Sequence, residues 1–181
     1  MEDRSGSLWF TSRRNGISQL MPDFQKFQHY RYSINQPLSL SNNNVYSIWS
    51  YGDGIYWVGT GGGGLNRIDT QQQTSTYYVN DPENPNSLPN DTIYALYGDP
   101  SGEVLWIGTV GGGLSRFDLA SQTFTNYQRN PENPASRASN YITAIAPADD
   151  GRLWVGTLGF GIDLFDPATG TVVEHMVNDP E

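Results

Sequence analysis

Hydrophobic and polar positions along this chain fall into short runs, and none has the 3.6-residue spacing of an amphipathic helix. In the clearest stretch the runs cover Tyr94 to Tyr97, Val104 to Thr109, Leu114 to Asp118 and Thr123 to Gln128. Gly98-Asp99-Pro100-Ser101-Gly102 and Gly111-Gly112-Gly113 divide them with the turn chemistry of β-hairpins. A Pro/Asn linker, Arg129 to Ser139, leads to the next run. Several runs are apolar at neighbouring positions, as in Val45-Tyr46-Ser47-Ile48-Trp49. That pattern predicts strands buried on both sheet faces rather than a sandwich with one wet face.

The runs repeat. Trp9, Trp57, Trp106 and Trp154 are separated by 48, 49 and 48 residues. Trp57-Val58-Gly59-Thr60 recurs as Trp106-Ile107-Gly108-Thr109 and as Trp154-Val155-Gly156-Thr157. A glycine cluster follows each, then an apolar residue (Leu65, Leu114, Ile162) and a closing aspartate (Asp69, Asp118, Asp166). Tyr30, Tyr78, Tyr127 and His175 are read as one equivalent position, followed by Pro37, Pro85 and Pro134 and by Ser39, Ser87 and Ser136. Asn80-Asp81-Pro82-Glu83 returns as Asn178-Asp179-Pro180-Glu181. A period in the 40s with four strand-like runs per unit is the signature of a β-propeller, whose sheets stack radially around an axis.

The predicted fold is therefore all-β: three complete four-stranded blades plus one lacking its inner strand. The blades are expected at residues 1–40 (incomplete), 41–89, 90–138 and 139–181. Closed propellers typically have 4 to 8 blades, so an open arc bares two blade faces. Self-association, for example two copies about a two-fold axis, or the remaining blades of a longer parent propeller, is expected to cover them. A four-bladed monomer closing on itself is the less favoured alternative.

The repeat resembles the two-component regulator propeller repeats of bacterial hybrid sensor proteins. Their pattern is roughly N-x-V-x-x-I-x-x-D-x-x-G-x-L-W-I-G-T, a glycine-rich turn, then a short run ending in Asp. The likeness is close at Asn90 to Asp118 and Asn140 to Asp166, good at Asn43 to Asp69, and weak at Ser5 to Met21. It implies an extracytoplasmic sensor, periplasmic or extracellular, often of two seven-bladed units upstream of a membrane span and a histidine kinase. Such sensors are often linked to carbohydrate detection. None of the signalling parts lies within these residues.

Composition narrows the partners. A net charge of −9 with Lys26 as the sole lysine disfavours nucleic acid and anionic membrane surfaces. No run approaches the ~18 apolar residues of a membrane span, and Met1 to Gly6 has no apolar signal segment. The absence of cysteine excludes disulfides, Cys-based zinc sites and thiol chemistry. The high glycine content is accounted for by one hairpin turn per blade.

Candidate chemistry is sparse. The glycine turns lack the Lys-Ser/Thr of a phosphate loop, and the Asp/Gly turns at Gly52-Asp53-Gly54, Asp99 to Gly102 and Asp149-Asp150-Gly151 lack calcium-loop ligands. No metal or other cofactor is expected. Asn90-Asp91-Thr92 fits a glycosylation sequon. An active site should break the repeat, and the departures are Asp163 for Asn66 and Ser115, Phe160 for Gly63 and Gly112, and Trp49 for Tyr97 and Ala146. None forms an acid/base pair in sequence, and His29 and His175 both fall on fourth strands, so no catalytic residues are expected. The repeated Trp is expected to pack between blades rather than bind sugar.

Propeller geometry places the second-to-third hairpins and the fourth-to-first linkers at one end of the ring. That end should carry Asn43, Asn44, Thr60, Asn90, Asp91, Thr109, Asn140, Tyr141, Thr157 and Phe160. Amides and hydroxyls beside aromatic rings suit an oligosaccharide. The competing role for the Asn and Asp side chains is to hold loop backbone. A non-enzymatic recognition module is thus expected, binding an oligosaccharide or a protein ligand. A protein-interaction scaffold is the alternative, and a carbohydrate-active propeller enzyme the least supported.

Overall fold

The computed structural model describes residues 2–3, 6–12, 16–20, 27–52, 54–133, 136 and 138–177. Among them lie fifteen strands and no helix. Blade 1 holds β1 (Leu8–Ser12), β2 (Gly16–Leu20) and β3 (Phe27–Tyr30). Blade 2 holds β4 (Val45–Gly52), β5 (Ile55–Thr60), β6 (Leu65–Asp69) and β7 (Thr74–Tyr78). Blade 3 holds β8 (Ile93–Gly98), β9 (Val104–Thr109), β10 (Leu114–Asp118) and β11 (Thr123–Tyr127). Blade 4 holds β12 (Ile142–Pro147), β13 (Leu153–Thr157), β14 (Ile162–Asp166) and β15 (Thr171–Met176). Each sheet is an antiparallel meander in chain order, as in the blades of a propeller. Pro134, Asp53, Lys26 and Asn178 to Glu181, singled out in the sequence, lie outside the described residues.

The core consists of three layers between successive blades. Strands apolar on both faces make this possible, because alternate residues of one strand serve two layers. On β5, Tyr56 and Val58 join the layer with blade 1, while Trp57 joins the layer with blade 3. On β9, Leu105 and Ile107 face blade 2, and Trp106 faces blade 4. The repeated tryptophan is the ring that crosses each junction. Trp9 meets Tyr56 at 3.9 Å, Trp57 meets Phe117 at 5.5 Å, and Trp106 meets Phe165 at 5.7 Å between centroids. Tilted and edge-on pairs of this kind add to area burial. The expected packing role holds for these three, while Trp154 at the outer face of blade 4 is only half-buried.

One equivalence read from spacing is corrected. Tyr30, Tyr78 and Tyr127 pair with Ile17, Leu65 and Leu114, but Ile162 pairs with Met176 rather than His175. A register shift between Leu164 and Phe165 admits one extra residue in β15 and moves His175 opposite Asp163.

Candidate functional site

The expected end of the arc is built by the glycine turns and linkers, and its polar residues have defined tasks. Thr60 and Thr109 are fully buried. Their hydroxyls, and that of Thr157, donate to the carbonyls of Gly64, Gly113 and Gly161 at 2.9, 2.9 and 2.8 Å. Each threonine closes its own hairpin.

Asn43, Asp91 and Asn140 are equivalent and act alike. Each Oδ1 accepts a backbone N–H eleven residues upstream, from Tyr32 at 2.7 Å, Asn80 at 2.6 Å and Arg129 at 2.6 Å. These bonds tie the incoming linker to the start of the inner strand. Asn90 belongs to the preceding position: its Oδ1 accepts from Thr92 N–H at 2.8 Å, as Asn42 Oδ1 does from Asn44 N–H at 2.8 Å. These are local Asx turns. The Asn44 and Tyr141 carbonyls accept Gly61 and Leu158 N–H groups at 2.8 and 2.9 Å.

Blade 4 adds exposed apolar groups at this end. Tyr141, Leu158 and Phe160 are exposed by 47, 59 and 55%. The Leu158 amide bond brings the first of these beside the second, and Phe160 sits on the turn between Gly159 and Gly161. Phe160 replaces Gly63 and Gly112, where a Cβ would meet Ser41 and Asn42, or Pro89 and Thr109.

The residues that follow Ile17, Leu65, Leu114 and Ile162 on the third strands form a second series. Ser18, Asn66, Ser115 and Asp163 stand opposite His29, Tyr77, Asn126 and His175. Ser18 Oγ lies 2.9 Å from His29 Nδ1, Ser115 donates to Asn126 Oδ1 at 2.7 Å, and Asp163 Oδ1 lies 2.6 Å from His175 Nδ1. Sequence reasoning singled out Asp163 and His175 separately but not their pairing, which depends on the β15 register shift. The closing aspartates cap the third-to-fourth turns. Asp69, Asp118 and Asp166 accept N–H groups of Gln72, Ser121 and Ala168 at 2.8, 2.9 and 2.9 Å. Those bonds hold all three carboxyls below their ordinary value.

Two clefts open at the other end, among the first-to-second turns. One of about 340 Å³ is lined by Trp49, Tyr51, Tyr97 and Asp99, and one of about 650 Å³ by Tyr97, Trp106, Arg116 and Arg152 among others. Trp49 lies 5.4 Å from Tyr97 between centroids, and the Tyr51 hydroxyl donates to the Val104 carbonyl of blade 3. Burial pushes Tyr51 and Tyr97 above the ordinary phenol value. None of these residues was among the candidates, although Trp49 had been noted as a departure from the repeat.

Residues 87–111 and 136–159 match the two component regulator propeller family. Those two segments are similar to two component regulator propeller repeats. The matched segments run from the linker through the inner strand to the glycine turn of blades 3 and 4, the elements just described. No curated protein matches the chain. Among solved structures, these repeats are similar to the extracellular domain of the hybrid two component system BT3049 from B. thetaiotaomicron, with 25% identity and a TM-score of 0.84. That likeness covers 98% of this chain and 24% of the other. The extracellular domain of BT4673 from the same organism has 22% identity and a TM-score of 0.77 over 96% of this chain and 24% of its own. PorZ, a surface component of the type-IX secretion system of Porphyromonas gingivalis, shares the fold at 18% identity and a TM-score of 0.68. It is covered over 26% of its length and covers 97% of this chain. The propeller repeats here thus span about a quarter of each solved chain they match.

Proposed function

We propose that this chain is part of a non-catalytic, extracytoplasmic recognition module of a sensor, and that it binds a neutral polyhydroxylated ligand such as an oligosaccharide. The supporting observation is the exposed group Tyr141, Leu158 and Phe160 on the turn-and-linker end of blade 4, where two of the other blades carry glycine at the Phe160 position. Aromatic faces flanked by backbone and amide groups suit sugar rings, which offer apolar C–H faces and hydroxyl edges. Likeness to the extracellular domain of a two component system supports the setting. In the parent receptor, ligand binding would act by favouring one of two arrangements of the sensor.

Calorimetric titration of the chain with a panel of neutral oligosaccharides tests this reading. Binding tighter than ~1 mM, weakened about tenfold or more by Tyr141→Ala and by Phe160→Ala, is the expected result. Binding that survives both changes but is lost in Trp49→Ala would move the site to the cleft at the opposite end. Binding to a protein partner with no response to any glycan would favour the interaction scaffold. Hydrolysis or elimination products would overturn the non-catalytic reading.

A further inference from the structure

The cleft of about 340 Å³ between the first-to-second turns of blades 2 and 3 is built by departures from the repeat. Trp49 stands opposite Trp57, where blades 3 and 4 set Tyr97 opposite Trp106 and Ala146 opposite Trp154. Tyr51 precedes Trp57 by six residues, the offset at which Asp3 precedes Trp9 and Ala148 precedes Trp154. Both rings reach across the junction to Gly98 of blade 3. A Cβ there would overlap Trp49 Nε1 and the Tyr51 hydroxyl, so blade 3 admits the two rings by having no side chain at this point. Tyr97 and Tyr51 stand at 68° and 73° to the Trp49 ring, with centroids 5.4 and 6.2 Å away. The aromatic walls therefore lie in more than one plane.

The charge around these rings is of one sign. Glu2, Asp3 and Asp99 line the cleft, and among the described residues no Lys, Arg or His does. The Asp3 carboxylate is pinned by three donors: Trp9 Nε1–H at 2.7 Å, Tyr56 O–H at 2.8 Å and Ser7 N–H at 3.1 Å. Asp99 Oδ1 accepts the Ser101 hydroxyl at 2.6 Å. Burial, with the Asp99 charge behind it, pushes Tyr51 and Tyr97 above the ordinary phenol value, so that charge is felt at both rings. The neighbouring cleft between blades 3 and 4 shares Tyr97 and Asp99 but has Arg116 and Arg152 on its wall to offset the acid. The Trp49 indole N–H is buried and meets no acceptor. Packing accounts for a ring at this place, but not for an orphaned donor or for the surplus of acid.

We propose that this cleft binds a hydroxyl-bearing organic cation, an amino alcohol or an amino sugar. Its ammonium lies against the rings of Trp49, Tyr51 and Tyr97 with Asp99 and Glu2 as counter-charges, and its hydroxyl oxygen accepts the Trp49 N–H. A cation with no hydroxyl would leave that N–H orphaned, and a neutral sugar would leave the acids unmatched. The site lies at the end opposite the glycine turns and does not rest on the oligosaccharide reading.

The test titrates nitrogen-15-labelled chain with choline, glucosamine and glucose while following its five indole N–H signals. The Trp49 signal is the one missing from Trp49→Phe. Choline, glucosamine or both should shift it with a dissociation constant tighter than ~10 mM, and glucose should not. A response to choline alone assigns an amino alcohol, and a response to glucosamine alone an amino sugar. Asp99→Asn keeps an acceptor for Ser101 and should weaken binding about fivefold or more, as should raising salt from about 20 mM to about 500 mM. By calorimetry, Trp49→Phe should weaken choline more than tetramethylammonium, which has no hydroxyl. Asp99→Asn, read by calorimetry, keeps the test open if Trp49→Phe does not fold. No response to either amine, an equal response to glucose, or affinity unchanged by Asp99→Asn overturns the proposal. Neutral oligosaccharide binding at the other end is measured separately, so either reading can fail alone.

Discussion

Asp163 and His175 meet across β14 and β15 with Oδ1 2.6 Å from Nδ1, the carboxylate fully buried and the imidazole 37% exposed. The other carboxylate oxygen accepts Ala138 N–H at 3.3 Å, so this side chain joins the third strand, the fourth strand and the linker of blade 4. Asn66 does the same linker work in blade 2, accepting Ser41 N–H at 2.7 Å. Asp163→Asn should therefore cost less than about 1 kcal/mol. Asp163→Ala should cost ~1–3 kcal/mol, because it orphans a linker N–H in a buried setting. Urea unfolding midpoints of the two variants check the contrast.

Gly108 and Gly156 are equivalent in sequence but not in surroundings. Gly108→Ala would force Ile142 to move and should destabilise by ~1–3 kcal/mol. Gly156→Ala meets one methyl at 3.3 Å and should fall within about 0.5 kcal/mol. Thermal unfolding of both variants, made in the same chain, measures how far the next blade determines the need for glycine.

Trp57 bridges two blades, touching Tyr78 in its own blade and Phe117 in the next. Trp57→Ala should destabilise by ~3–5 kcal/mol. Trp154→Ala, at a half-buried position with no following blade among the described residues, should cost markedly less. Denaturant unfolding of the pair tests whether the repeated ring acts through the blade that follows it.

The turn-capping aspartates make the fold acid-sensitive. Asp69, Asp118 and Asp166 are held below their ordinary value of 3.8 in the folded chain. A carboxyl depressed in this way stabilises the fold at pH above its unfolded value. The contribution is lost as pH falls through 3.8 toward the folded value. Stability measured by urea unfolding should therefore drop as pH is lowered from 5 to about 2.5. Asp118→Asn, which retains an oxygen acceptor for Ser121 N–H, should flatten part of that slope.

Much of the fold was legible because each blade solves the same packing problem with the same residue types. Spacing located Trp57, the glycine turns and the closing aspartates, and binary pattern marked strands such as β9 as buried on both sides. The candidate site was less legible. Thr60 and Thr109 are polar residues at the expected end, yet burial and hydrogen bonding commit them to their hairpins. Composition does not distinguish a hydroxyl offered to a ligand from one closing a turn. The Asn43, Asp91 and Asn140 side chains look alike for the same reason: their partners lie across a linker eleven residues long.

The amino-acid sequence by itself determined the all-β class, the blade period and three four-stranded sheets with one of three strands, since these follow from local turn chemistry and side-chain alternation. Only the tertiary structure decided which positions are free. Asp163 acquired His175 through a register shift that spacing concealed. Ile162 and Gly156 became surface, although their sequence neighbours match buried positions elsewhere. Repeats are alike in what they carry but differ in what stands beside them, and exposure is a property of the neighbour.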